Sequence, residues 1–338
     1  GAGKMSTIRV IGRENIQKVF TVTAALRAVE SAYAGKSAGT GRVWPMVFHE
    51  FDPGHADLDI KSGDLESAGV YGLKVVSWYD SNAEKALPAL FGTSLLFDLA
   101  TGEPKALLNA GPITALRTGA AAVIGAKYLA RKGSHVLLQI GAGAQGRMGA
   151  EAILCAMGTV DELRVADISP DALKSFAEEM QEKFPQVRIV PYTDYRKAIP
   201  GAQIICAGTT SPQPLLRGMP LDKGVTVLLI AELVVDSDLR WYDRCIMDFP
   251  ECFCDRFNDD LRGWSARTGI PFEEIRLETC SASLGEVIAG KKPGRSSDDE
   301  RIVVGYVGVG AEDVLTAKVA YDRAMAKGIG TLVDFSNA

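Results

Sequence analysis

The run HVLLQIGAGAQG, residues 135–146, constrains the fold more than any other stretch of the 338 residues. An apolar segment leads straight into Gly141, Ala142, Gly143, Ala144, Gln145 and Gly146, the spacing G-x-G-x-x-G. Alone that spacing is common. Here it follows a strand-like run, opens a helix-like one, and is answered by an acid, Asp167, about 20 residues on at the end of the next apolar run. The first glycine suits a tight turn, the second a close approach of backbone to pyrophosphate, and the third close helix–strand packing. The N-terminus of the following helix would face the phosphate charge. Gly141, Gly143, Ala144, Gln145 and Gly146 are therefore assigned to a dinucleotide. Asp167 is placed for the ribose hydroxyls. A carboxylate there repels a 2′-phosphate, and no Arg follows in Ile168-Ser169-Pro170, so NAD is expected rather than NADP. A glycine turn beside a surface Asp is the simpler alternative, and the agreement of strand, glycines and acid argues against it.

The pattern around this motif is an alternation of strands and helices. ITALRTGAAAVIGAKYLA (113–130) reads as an Ala-rich helix, ELRVAD (162–167) as a strand, and residues 169–184 as an amphipathic helix with Pro170 near its start. VRIVPY, AQIICAG (202–208), VTVLLIA (225–231) and RCIMDF (244–249) read as further strands, with RCIMDF the last. Continuously apolar strands separated by helices indicate a doubly wound parallel sheet of the Rossmann type. The first hundred residues differ. Residues 14–35 show helical spacing, 42–62 read as short strands in a meander, and 73–78 and 92–99 are strand-like, which suggests a helix on an antiparallel sheet. The tail from residue 300 is expected to lie beyond the strands of the parallel sheet, with its helix packing back on the N-terminal part. The expected class is thus α/β, with an α+β substrate-binding and dimerisation domain (6–118 plus 311–335) and a dinucleotide-binding domain (119–310). KKPGRSSDDE (291–300) reads as a solvated loop.

Composition narrows the partners. The net charge is -5 and no stripe of Lys and Arg is present, so nucleic acid is not expected. No apolar stretch reaches the roughly 18 residues that span a bilayer. GAGK ahead of Met5 reads as an appended remnant rather than a signal peptide. The six cysteines are scattered, which fits reduced thiols in the cytoplasm. Cys252 and Cys254 form a C-x-C pair without a second pair at zinc spacing, and the three histidines are too far apart to act as helical ligands, so no metal is expected.

Several polar residues stand among apolar or small neighbours. Arg117 lies on the Ala-rich helix, Lys74 inside YGLKVVSW, Arg42 in GTGRVWP and Lys61 in DIKSGD. Pointing into a cleft they would bind a carboxylate, Arg through two parallel hydrogen bonds and Lys as a point charge. Pointing outward they would be ordinary surface residues, and alternation alone allows this for Lys74. Thr209 and Ser211 follow the fourth strand of the nucleotide domain, where small hydroxyl residues suit the nicotinamide half, or simply a turn. Glu232 ends the apolar run 225–231 at the carboxyl edge, where such sheets bind ligands. It is either a proton acceptor or an acid paired with a structural base.

YGLKVVS around Lys74, LLFDLATGEP, the helix ITALRTGAAAVIGAKYLA, GAGAQG, the segment through SLGEVIAGKKPGR, and the ending YDRAMAKGIG together resemble the ornithine cyclodeaminase/mu-crystallin family over nearly the whole chain. The resemblance implies a homodimeric NAD(P)-dependent enzyme acting on the Cα–N bond of a small amino or imino acid. L-Ornithine to L-proline is the leading case, with an alanine-type dehydrogenase or an imine reductase as alternatives. A mu-crystallin-like binding protein for a small ligand is an alternative of another class. It also implies that Arg42 and Arg117 grip the substrate carboxylate, that Lys74 lies near the reacting amine or the carboxylate, and that Glu232 holds the place of a catalytic Asp. The chain departs from the cyclodeaminase pattern in three ways: Glu stands for Asp, LVVDSD lacks a P-G-K loop, and Ala89 stands where a Thr is expected. These departures weaken ornithine as the substrate.

Overall fold

The computed structural model describes residues 6–209, 211, 215–216, 219–230, 242–250, 265–266, 269, 271–275 and 281–335. Two compact units are present. One runs to Arg117 and resumes at Gly308; the other spans Thr118–Val307.

The first unit begins with β1 (Thr7–Ile11), α1 (Arg13–Val19) and α2 (Val22–Ala38). The helical spacing from residue 14 onward is thus two helices, not one. Thr21 is extended and its side chain accepts from Ala24 N, which starts α2 afresh. That helix also runs through Gly35 and stops only at Gly39, which is left-handed. Next come β2 (Gly41–Val43), β3 (Val47–Asp52), β4 (Ala56–Leu65), β5 (Val70–Tyr79), β6 (Leu90–Asp98) and β7 (Pro104–Asn109). With β16 (Thr331–Asp334) they form a sheet in the order β16-β1-β7-β6-β5-β4-β2, and β3 also pairs with β4. The sheet is mixed rather than purely antiparallel, because β1 runs parallel to β7.

The returning helix α6 (Gly310–Ala326) packs on β4, β5 and α2. It lies on the face of β4 that carries Lys61 and Gly63, since a Cβ on Gly63 would stand 3.2 Å from Ala311 N. Tyr33, Leu65, Leu96 and Val314 are buried in this unit. On the opposite face Leu58, Ile60, Leu73, Val75 and Leu95 are only half-buried and Phe91 is exposed.

The second unit takes up α3 (Gly111–Leu129) after Arg117. Alanines with the best helix propensity fill its length. It continues with β8 (Val136–Ile140), α4 (Ala144–Ala156), β9 (Glu162–Ala166), α5 (Pro170–Lys183), β10 (Arg188–Tyr192), β11 (Ile204–Ala207), β12 (Thr226–Leu229), β13 (Arg244–Met247), β14 (Ala282–Ser283) and β15 (Ile302–Gly305). All are parallel, in the order β10-β9-β8-β11-β12-β15-β13-β14. This is the doubly wound sheet. The order reverses beside β8, the point where ligands bind in such folds.

Two expectations about the tail are corrected here. RCIMDF is not the last strand, and the tail is not wholly beyond the sheet: Ile302–Gly305 inserts between β12 and β13. Its four residues are buried, as a strand covered on both faces requires. The loop 291–300 is exposed along much of its length but is pinned from within. Arg295 donates to the carbonyls of Leu129, Gly224, Ser297 and Glu300 and to Thr226 Oγ1. Among the described residues no helix is long and apolar enough to cross a membrane. Cys252, Cys254 and Cys280 lie outside the described residues.

Arg295→Ala removes five charge-assisted donations at once, among them those that tie this loop to Leu129, Gly224 and Thr226. It is expected to destabilise the protein by about 3 kcal/mol, read as a lower denaturation midpoint in guanidinium.

Candidate active site

Strand β8 ends at Ile140 and the chain turns sharply at Gly141, whose φ is +94°. Any side chain there would be strained, and its Cβ would collide with the carbonyl oxygen of Gly208 at the end of the neighbouring strand. Gly143 then precedes α4 with no side chain capping the helix. The first amides of α4, those of Ala144, Gln145 and Gly146, are therefore not taken up by a cap, which suits an anion at the helix N-terminus.

Asp167 follows β9. Its Oδ2 accepts from Ala142 N at 2.8 Å and its Oδ1 from Ser169 N at 2.9 Å. The carboxylate is thereby tied to the glycine turn. A cleft of about 580 Å³ opens here, lined among others by Gly141, Asp167, Ile168, Ser169, Thr209 and Ser211. Thr209 Oγ1 accepts from Ser211 N at 3.1 Å, so these two hydroxyl residues form a small turn on the cleft wall. Sequence reasoning passed over Ile168. It is 94% exposed, an apolar side chain presented to the cleft directly after the acid.

The first unit holds a second cluster. Lys61 and Lys74 stand directly opposite each other on β4 and β5, and directly opposed residues share a face. Lys74 Nζ donates to Asp313 Oδ1 at 2.5 Å, with neither side chain more than 3% exposed. Arg117 Nε lies 3.2 Å from the same oxygen, and Arg117 NH1 lies 3.7 Å from Glu312 Oε1. Gly308 closes the group. With φ at +81°, a Cβ on it would stand 3.1 Å from both Lys61 Nζ and Arg117 NH1. The two cations thus converge on a spot that only a residue without a side chain leaves open.

Burial, and then the charges of Arg117 and Lys61, push the Lys74 ammonium down to about 7, against the pull of Asp313. Burial opposes the charge on Asp313 too. Lys74, Arg117 and Lys61 outweigh it and hold that carboxyl below the usual carboxylate range. Truncating one partner of such a pair is strongly destabilising, because the other charge stays buried.

Of the substrate-side residues expected from sequence, Lys61, Lys74 and Arg117 come together, and Arg42 does not. Arg42 pairs in register with Asp64, three residues from Lys61 on β4, so it points to the opposite face of the sheet. There its half-exposed guanidinium binds Asp64 Oδ1 at 2.9 Å and Glu66 at 3.1 Å. Trp44 Nε1 donates to the other oxygen of Asp64. Arg42 is thus engaged by Asp64 and Glu66 rather than grouped with Arg117. Glu232 lies outside the described residues. Glu312, Asp313 and Gly308 escaped the sequence reading. Acids in the first turn of a helix read as partners of the helix dipole, not as buried counter-ions to lysine.

These features define a dinucleotide-binding α/β protein with a buried cationic cluster. The family model that matches it is that of the Ornithine cyclodeaminase/mu-crystallin family, over residues 8–328, and the chain belongs to this family. The alanine dehydrogenase of Archaeoglobus fulgidus is 29% identical over 326 residues, 96% of this chain and 98% of that protein. The Thermococcus litoralis Δ1-pyrroline-2-carboxylate reductase, solved with NADH and L-proline, is 30% identical with a TM-score of 0.83, covering 96% of this chain and 99% of its own. An archaeal alanine dehydrogenase dimer with bound NAD is 27% identical with a TM-score of 0.84, covering 98% and 100%.

Gly141→Ala places a methyl at positive φ against Gly208. It is expected to cost about 1–3 kcal/mol, seen as a lower calorimetric midpoint, and to weaken dinucleotide binding.

Proposed function

We propose that the chain is an NAD-dependent enzyme working at the Cα–N bond of a small α-amino or α-imino acid, as an amino-acid dehydrogenase or imine reductase ahead of a cyclodeaminase. The observation that carries this reading is the buried convergence of Lys61, Lys74 and Arg117 around Asp313. Alanine dehydrogenase and Δ1-pyrroline-2-carboxylate reductase among the relatives favour the first two activities. The departures at Glu232 and Ala89, and the missing P-G-K loop, disfavour ornithine.

NAD supplies a hydride acceptor or, reduced, a hydride donor for Cα. Gly141, Gly143, Ala144, Gln145 and Gly146 would receive its pyrophosphate, Asp167 a ribose, and Thr209 and Ser211 its nicotinamide half. Arg117 and Lys61 hold the substrate carboxylate. Lys74 faces the nitrogen, giving a proton as an imine becomes an amine and taking one back in the reverse direction. With a perturbed value of about 7, Lys74 has both forms present near neutrality. Glu232 keeps the role of a second acid–base group on the strength of the resemblance.

The test follows absorbance at the NADH band. Oxidation of NADH by Δ1-pyrroline-2-carboxylate, or by pyruvate with ammonia, supports the proposal. Proline formed from L-ornithine without net NADH would replace it with cyclodeamination. No turnover with any of these would leave a binding protein. Asp167→Ser is expected to raise the KM for NADH about tenfold and to improve use of NADPH, because the repelling carboxylate is gone.

The same reading includes a homodimer. The side of the first unit's sheet away from α6 shows Leu58, Ile60, Leu73, Val75 and Leu95 incompletely buried and Phe91 exposed, an apolar face of the kind that marks an interaction surface. A second copy of the chain is the proposed cover. Sedimentation velocity is expected to give twice the chain mass for the natural sequence and a shift toward the single-chain mass for Leu73→Asp.

A further inference from the structure

We infer that Asp313 is a positioning residue. One of its oxygens clamps the Lys74 ammonium and Arg117 Nε together, and so holds the lysine where it can exchange a proton with the substrate nitrogen. The inference rests on the proposed reading of Lys74.

Lys74 has a long flexible stem and would otherwise have many rotamers to choose from. Its ammonium is faced by Lys61 from β4, by Arg117 from α3 and by Asp313 from α6, with Glu312 of α6 beside Arg117, while Ser94 stands opposite on β6. Two of these neighbours carry the same charge as Lys74. Asp313 is the group that donates nothing and accepts from it directly, at 2.5 Å. The same oxygen, Oδ1, faces Arg117 at 3.2 Å, while Oδ2 has no hydrogen-bond partner among the described residues. Oδ1 thus accepts the Lys74 hydrogen bond and attracts the Arg117 guanidinium by charge, which draws lysine and arginine toward one atom. Asp313 itself is held by the helix, in the first turn of α6 and fully buried.

The clamp has a chemical consequence. In imine reduction the hydride goes to Cα, the Lys74 N–H bond breaks as a proton passes to the substrate nitrogen, and a neutral lysine amine remains. That amine then regains a proton from water. Asp313 keeps its charge throughout, because its cationic neighbours hold it below the usual carboxylate range. It also opposes the burial and like charges that drive Lys74 toward the neutral form. Removing the carboxylate while keeping the shape therefore lowers the pH at which Lys74 gives up its proton.

The experiment compares the natural protein with Asp313→Asn, Asp313→Glu and Lys74→Arg. The readouts are kcat against pH for NADH-dependent reduction of Δ1-pyrroline-2-carboxylate, the Kd for NADH, and Lys74 titration by NMR on 15Nζ-labelled lysine, assigned with Lys74→Arg. In Asp313→Asn the alkaline limb of kcat and the Lys74 titration both move down by about one pH unit or more, with the NADH Kd within about twofold. In Asp313→Glu the limb stays in place, but kcat falls about tenfold because the carboxylate is displaced by a methylene. An unmoved Lys74 titration in Asp313→Asn overturns the inference. If that variant does not fold, Asp313→Glu with kcat within about twofold of the natural protein overturns it instead. The reading of Lys74 fails separately, if Lys74→Arg retains full turnover while Asp313→Asn still moves the Lys74 titration.

Discussion

The Lys74 ammonium and the Asp313 carboxylate meet at 2.5 Å in a place where solvent reaches almost none of either side chain. Taking two such charges out of water costs several kcal/mol per ion before any attraction is counted. The attraction offsets this only if the geometry is tight and further charges or donors complete the set. Here Arg117 shares the carboxylate oxygen, and Glu312 faces Arg117 from the preceding helix position. An apolar pair of the same volume would serve stability as well or better. In the proposed reading that cost is offset by what the charges do for the substrate, and the elements of the first unit bring them together. Lys61 and Lys74 come into register through the long β4–β5 pairing, and α6 brings its first turn down on that face of the sheet.

The chain passes between its units twice, between Arg117 and Thr118 and between Val307 and Gly308. Both passages leave the first unit at the cluster, because Gly308 and Arg117 are neighbours there. The strand before the second passage, β15, is buried in the parallel sheet, and Val307 N is held by both oxygens of the buried Asp248. A turn that both changes unit and carries positive φ next to two cations has little freedom of sequence, and glycine meets all of its requirements.

Much of the fold was legible in the sequence, and the reasons for the rest are physical. The fingerprint at 141–146 was readable because strand, glycines, helix and Asp167 are consecutive and each has a local cause. Ile302–Gly305 was not, since four apolar residues have no periodicity to separate a buried strand from part of a loop. The break at Thr21 hides because a cap residue interrupts a spacing that resumes in phase. On the substrate side, Lys74, Arg117 and Lys61 stood out as charges among apolar neighbours. Arg42 stood out for the same reason, and only the pleat shows that its odd offset from Lys61 sends it to the other face. Asp313 was illegible because its partners lie more than 190 positions away along the chain, which no local pattern encodes.

The charge count of the cluster ties binding to protonation. Counted at their ordinary charges, Lys61, Lys74, Arg117, Glu312 and Asp313 sum to one surplus positive charge when Lys74 is protonated and none when it is neutral. In the proposed reading a substrate carboxylate beside Arg117 and Lys61 brings one negative charge. It is attracted more strongly to the protonated cluster, and by linkage its presence makes protonated Lys74 more favourable in return. In the proposed reading an imino acid therefore recruits, through its carboxylate, the proton that its nitrogen needs. A product amine that keeps its own positive charge does not gain in the same way from a protonated Lys74. Burial gives this exchange its strength, because in water the same charges would be screened to a fraction of the effect.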